Sequence, residues 1–313
     1  MLITLVTQKS CRLKGKSVNL KYMSKFLILP TVFFVALSLI SVQQVFSQSP
    51  EATQSSEIKQ EEKDFDQAYQ EYILKLQDYQ KVHEEYILRR SQYLRFQSLK
   101  SRQDAQEATV KMLQARDEVV ITYLTTLLAR LSEGVGVHEV RKEALTLRVN
   151  EEIGWFTDHR DTVPSAGTLE DLVKDSDLAM KRWEGVEPLI YEILTTTAYG
   201  KISNFTLRSE EALTAVKNKL EIIRKDDRDE YKFSNEKFEV LDRWIFETEG
   251  KIVRSKEKQV EVDNMIVLIV KQRKDVLKYY NDMIGVLGES QLFLKEANTF
   301  LKEVIREVKT AEE

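Results

Sequence analysis

Cysteine is all but absent: Cys11 is the only one in 313 residues, and it lies upstream of the longest apolar run. The remainder of the chain therefore has no disulfide framework, no thiol nucleophile and no cysteine for lipid attachment. Proline is down to 4 and glycine to 10, which leaves few turn signals and speaks against an architecture of short strands. Histidine is equally scarce. His83, His138 and His159 stand far apart, without His-Glu-x-x-His, Cys-x-x-Cys or EF-hand spacing, so no metal site or cofactor is expected.

Other chemistry is missing too. There is no glycine-rich dinucleotide fingerprint and no nucleophile elbow. Gly15-Lys16-Ser17 mimics the end of a phosphate-binding loop, but the required earlier glycine is Ser10. Asp158-His159-Arg160-Asp161 flanks an imidazole with carboxylates; it reads as the charged end of a helix, where His and Arg complement the dipole. The sequon Asn204-Phe205-Thr206 falls within a predicted helix and reads as chance. A non-enzyme is expected.

What the chain has in abundance is charge and heptads. Charged residues make up 31% and aromatics 9%, the profile of long exposed helices with enough apolar material to pack a core. The expected fold is all-α: an elongated antiparallel bundle or coiled coil of about five long helices.

The N-terminus carries a targeting signature. Phe26 to Val42 is apolar apart from Pro30, Thr31, Ser38 and Ser41, and six basic residues with no acidic one precede it. Val45 and Ser47 fit the small-residue cleavage rule. Residues 1–47 are read as an export signal, with Met23 as a possible true start, or as an uncleaved N-terminal anchor. Either way the remainder is expected to be extracytoplasmic, secreted or anchored facing outward, with a membrane as partner only if the segment stays. From Gln48 onward the chain holds 41 basic and 51 acidic groups, a net charge of −10. An acidic helical surface argues against nucleic acid and against anionic lipid as partners.

Residues 48–56 read as a flexible polar lead, and 57–313 as one elongated helical domain. The first helix is expected over about 57–98, marked by Tyr72, Tyr79, Tyr86 and Tyr93 at seven-residue spacing. With Ile73, Leu76, Ile87 and Leu94 beside them, these tyrosines read as a buried seam rather than an exposed aromatic stripe. Ser101 with Asp104 suggests a capping box for a second helix to about Ser132. Its apolar face runs from Val110 to Leu131, with Asp117 as the exception. Gly134-Val135-Gly136 is a stop, and a third helix should cover 137–160. Pro164 makes a loop, Thr168 caps a fourth helix to about Lys225, and Gly185 with Pro188 should kink or break it, Gly200 weakening it again. The acidic run 226–230 marks a turn.

The last stretch is the most regular. Stepping by three and four from Phe238 to Val308, 16 of 21 seam positions are apolar and the others are Thr248, Ser255, Gln259, Arg273 and Ser290. This predicts one continuous helix of ~105 Å at 1.5 Å per residue, running through Gly285 and Gly288. Met265 to Val270 is apolar on every side and suggests the thickest part of the bundle; Trp155, Trp183 and Trp244 are candidates for the same core. The candidate interaction seam is Tyr72, Tyr79, Tyr86, Tyr93, Ile266 and Ile269. The expected role is a non-catalytic structural or protein-interaction element of the cell envelope or extracellular space, meeting protein partners or itself through helical seams. The alternative is an extracytoplasmic ligand-sensing bundle that binds a small molecule between helices near Gly185 to Gly200.

Overall fold

The structure is a computed structural model that describes residues 54–225, 233–269 and 275–309, with side-chain surroundings from Phe65 onward. Residues 1–47, read above as an export signal or anchor, the acidic run 226–230 and Arg273 lie outside the described residues. The described residues form six long helices: α1 Gln54–Phe96, α2 Leu99–Ser132, α3 Glu139–Thr162, α4 Leu169–Lys225, α5 Asn235–Ile269 and α6 Val276–Lys309. A single 3-10 turn, Val163–Ser165, joins α3 to α4, and the described residues contain no strand. The helices pack antiparallel in a bundle. α1 already begins inside the stretch read as a polar lead.

Side-chain pairs give the direction of each neighbour. Along the α1–α2 hairpin, Thr126 donates to the carbonyl of Ala68 at 3.0 Å, Lys75 meets Glu118 at 3.2 Å and Arg89 reaches Asp104 at 4.0 Å. α3 returns along α2 through Arg160–Glu118 at 2.6 Å, and along α4 through Arg182–Glu152 at 2.6 Å. α5 runs back along the second half of α4, with Lys256–Glu210 and Lys217–Glu249 as ion pairs and the Gln259 amide on the Thr206 hydroxyl. α4 is therefore the spine, about 85 Å long at 1.5 Å per residue. It packs against α2, α3, α5 and α6.

Four expectations need correction. Of the kink or break expected at Gly185 and Pro188, the break does not occur, because α4 passes through both residues without ending. A proline inside a helix costs roughly 3 kcal/mol, but here every residue from Pro188 to Ala198 is buried, and that packing offsets the loss. This stretch, not Met265 to Val270, is the thickest part of the bundle; Val267 and Leu268 are 56% and 48% exposed. Nor do the tryptophans share one buried core, since only Trp183 is buried while Trp155 and Trp244 are half-buried.

The fourth correction concerns the last seam. It belongs to two helices, not one, because the chain reverses between Ile269 and Val276. Ion pairs Lys237–Glu307, Lys251–Glu296 and Lys258–Glu289 run symmetrically about that reversal. The two seam positions are seven residues apart, so the connection consumes one whole heptad and leaves the phase unchanged. Periodicity cannot distinguish that from a continuous helix. Gly285 and Gly288 do lie inside α6 as expected.

The ends of the helices follow local chemistry. The capping box at α2 is Ser98 with Ser101, three residues earlier than expected, and Asp104 instead pairs with Lys100 at 2.7 Å. Thr168 accepts from the Asp171 amide at 3.2 Å, as its position before α4 implies. Gly200 does not weaken α4 but admits the α2–α3 turn. A Cβ on Gly136, whose φ is +76°, would sit 2.2 Å from the Gly200 carbonyl oxygen. Both glycines are required by that close backbone approach.

Candidate functional site

The tyrosine ladder of α1 starts in the densest part of the molecule. Tyr72 is 1% exposed, with its ring 5.3 Å from that of Tyr123 on α2. Tyr191 of α4 and Tyr280 of α6 form a second pair at 5.0 Å. Burial pushes Tyr72, Tyr191 and Tyr280 up to about 12, with Tyr69, Glu187 and Tyr191 respectively adding to it. Tyr123 is raised well above the ordinary phenol range by burial first and then by all three other ring hydroxyls of the group. Four helices thus meet on four phenols that stay neutral at any physiological pH. The buried Tyr72 hydroxyl has no hydrogen-bond partner among the described residues.

One level along, α2, α3 and α4 enclose a charged group. Asp117 is fully buried and His159 is 8% exposed. His159 Nδ1 lies 2.5 Å from Asp117 Oδ2, while Nε2 lies 3.0 Å from the Asp175 carbonyl oxygen and so must donate to it. The other carboxylate oxygen of Asp117 accepts from Arg116 Nε and Nη2 at 3.3 and 3.2 Å, and Arg116 Nη1 reaches the Ser176 hydroxyl at 3.2 Å. Trp155 stacks on the imidazole with ring centroids 5.0 Å apart. Both ring nitrogens of His159 are therefore engaged by groups of the fold itself. Nearby, burial pushes Glu118 up, but hydrogen bonds from Arg160 and Lys75 outweigh it and hold the carboxyl below its usual value.

Sequence reading separated the members of this group. Asp117 stood out as the one charge on the apolar face of α2, and His159 as the imidazole of a charged helix end. The two are 42 residues apart, and nothing in either pattern pairs them. A lone carboxylate on an otherwise apolar helix face was the available signal, because it needs a buried partner.

The structure spreads the candidate seam residues over different surroundings. Tyr79 and Tyr86 are half-buried against Met112, Leu113, Val163 and Leu172, and Tyr93 is half-buried further along. Ile73 and Leu76 are half-buried as well, but Ile87 and Leu94 are 49% and 57% exposed, so the ladder is not one uniformly buried face. Ile266 and Ile269 are 2% and 0% exposed within the α5–α6 seam. Thr206 of the sequon is buried, donates to the Ile202 carbonyl and accepts from Gln259, which fits the reading by chance.

An open groove of about 580 Å³ runs between α2 and the 3-10 turn, lined by Gln103, Gln106, Glu107, Val110, Lys111, Gln114, Pro164 and Ala166. Gln106 and Gln114 spend their amides on the carbonyls of Ala166, Gly167 and Arg160. Among the described residues no group of three or more His, Cys, Asp or Glu could hold a metal ion, and no helix is long and apolar enough to cross a membrane. No family model, curated protein or solved structure matches the chain.

Proposed function

We propose that this chain is an exported, non-catalytic helical scaffold of the cell envelope or extracellular space, which holds contacts apart along a long bundle and meets them through its outer faces. The observation that carries this reading is the closure of the last heptad seam. Apart from half-buried Phe238, every described seam position from Leu241 to Val308 is buried inside the single chain. A seam covered from within leaves helix exteriors for partners, and self-association through the seam itself is replaced by the α5–α6 pairing. The closed Asp117–His159 arrangement supports a structural use of the chain's most reactive-looking groups. The packed stretch Pro188–Ala198 favours this reading over a ligand sensor, whose small molecule would need space there.

Two measurements test it. Material collected outside the cytosol should begin near Gln48 by N-terminal sequencing. Light scattering of that material should give one mass across a wide concentration range. Protein retained in the cytosol, or a mass that climbs with concentration while Ile269 becomes protected only in the larger species, overturns it.

A further inference from the structure

The end of the α1–α2 hairpin combines exposed apolar side chains, which also occur elsewhere as at Phe246 and Val140, with a run of charge of one sign. Large apolar side chains crowd there in the open: Leu94 is 57% exposed, Phe96 63% and Leu99 74%, with Ile87 and Leu88 about half exposed behind them. Charge of one sign surrounds them. Between Glu85 and Asp104 the chain carries Arg89, Arg90, Arg95, Lys100 and Arg102 and no acidic residue, in a molecule whose exported part is otherwise net acidic.

The chain reverses there at Gln97, which takes a left-handed φ of 49°. Phe96 and Leu99 bracket that reversal, so these two apolar side chains stand at the end of the two-helix hairpin. Lys100 is partly neutralised by Asp104, Arg89 by Glu85 and Asp104, and Arg102 by Glu170 at 3.8 Å. Arg90 and Arg95 have no carboxylate among the described residues, and the Arg95 guanidinium lies over the Phe96 ring at 5.2 Å.

We infer that this tip docks on an anionic lipid surface. A convex apolar point one residue layer deep needs a receiver that yields around it, and the boundary between headgroups and acyl chains does so. The arginine stems can lie along that boundary with their charges level with lipid phosphates. The acidic remainder of the bundle is repelled by the same surface, so attachment would be end-on, through the tip alone. A flat protein face would need both a matching apolar pocket and an acidic rim. The inference goes beyond the scaffold reading and does not depend on export.

The test is flotation of residues 48–313 with vesicles of phosphatidylcholine plus phosphatidylglycerol, compared with phosphatidylcholine alone. That segment carries the whole described core, and residues from Pro50 onward form a contact unit of their own. Binding should favour the anionic vesicles and weaken with salt. Arg90→Glu with Arg95→Glu should lower it by at least roughly tenfold, taking each basic residue as worth about 1 kcal/mol at the surface. Leu94→Ser, Phe96→Ser and Leu99→Ser together should abolish it while leaving the helical circular dichroism signal unchanged, because these side chains support no core. No preference for anionic vesicles, or binding that survives both sets of changes, overturns the inference. So does wild-type self-association that the triple substitution removes, since the tip would then be a contact between copies. The first two failures leave the single-mass test of the scaffold reading untouched, and the third is told apart from failure of that reading by a mass that becomes constant again in the triple variant.

Discussion

The two terminal hairpins solve the same packing problem with opposite treatments of their polar seam positions. In α5–α6 the described exceptions are neutral, and three of them meet: Ser255 and Ser290 lie 2.8 Å apart, and Gln259 donates to Ser255 and Thr206. In α1–α2 the exception is an ionised type of residue, Asp117, and its partners come from the sequence neighbour Arg116 and from α3. The first hairpin therefore depends on the helices that follow it, while the polar groups of the second are largely satisfied from within and by α4. At the far end the contrast repeats. The α5–α6 seam stays buried out to Val308, whereas burial along α1 declines from Tyr72 toward Phe96.

That comparison is broken most sharply by Asp117→Ala. It would leave His159 and Arg116 enclosed without their carboxylate, and removing one member of a buried ion pair costs roughly 3–5 kcal/mol. Urea denaturation of residues 48–313 should show that loss. A cost below about 1 kcal/mol would mean that water reaches the group and that the dependence on α3 is overstated.

In the second hairpin the matching change is Ile269→Ala, fully buried beside the reversal. It should cost roughly 2–5 kcal/mol, as other large-to-small core changes do. The midpoint should not vary with protein concentration, because the seam is covered within one chain. A midpoint that rises with concentration would transfer the covering surface to a second copy.

How far these differences were legible follows from the kind of pattern each leaves. Heptads name inward positions, and they did so along α5 and α6 down to Ser255, Gln259 and Ser290. They carry no record of direction, so a reversal that uses seven residues reads as a rod. Pro188 is a strong local breaker, and only the burial of its neighbours on α4, invisible in one segment, keeps the helix whole. Read separately, Gly136 is part of a helix stop and Gly200 a weak point in the next long helix, although the two share a single contact. The tip was passed over because an average charge of −10 hides a local run of five basic residues.

The hairpins meet at the phenols of Tyr72 and Tyr123 on one side and Tyr280 on the other, with Tyr191 of α4 between them, and strong alkali should unfold the bundle there. Burial raises Tyr72, Tyr191 and Tyr280 from the ordinary value near 10 to about 12. A raised folded value means that the stability is fully present below pH 10 and is lost as the pH rises through 10 toward 12. Each phenol should contribute roughly 2 kcal/mol to that loss. Tyrosinate absorbance should therefore lag behind that of free tyrosine and then rise together with loss of helical signal. Early, independent ionisation of all twelve tyrosines would show that the junction is open to water.

The smallest effect has the opposite sign, and it separates the two kinds of glycine in the bundle. Gly285 and Gly288 lie on the exposed side of α6, and a Cβ at either would meet nothing within 4 Å. Their backbone is helical, so alanine fits the folded state as it stands, while its narrower choice of conformations makes the unfolded chain less favourable. Gly285→Ala and Gly288→Ala should each stabilise by about 0.5–1 kcal/mol and add when combined, provided the α5–α6 hairpin is already formed around them. Gly136→Ala should do the reverse, since its Cβ would strike the Gly200 carbonyl and its φ is left-handed. Thermal denaturation of the three variants gives the answer directly. Should the α6 substitutions destabilise, the outer side of that helix is covered by another surface, and the second hairpin loses the self-sufficiency that distinguishes it from the first.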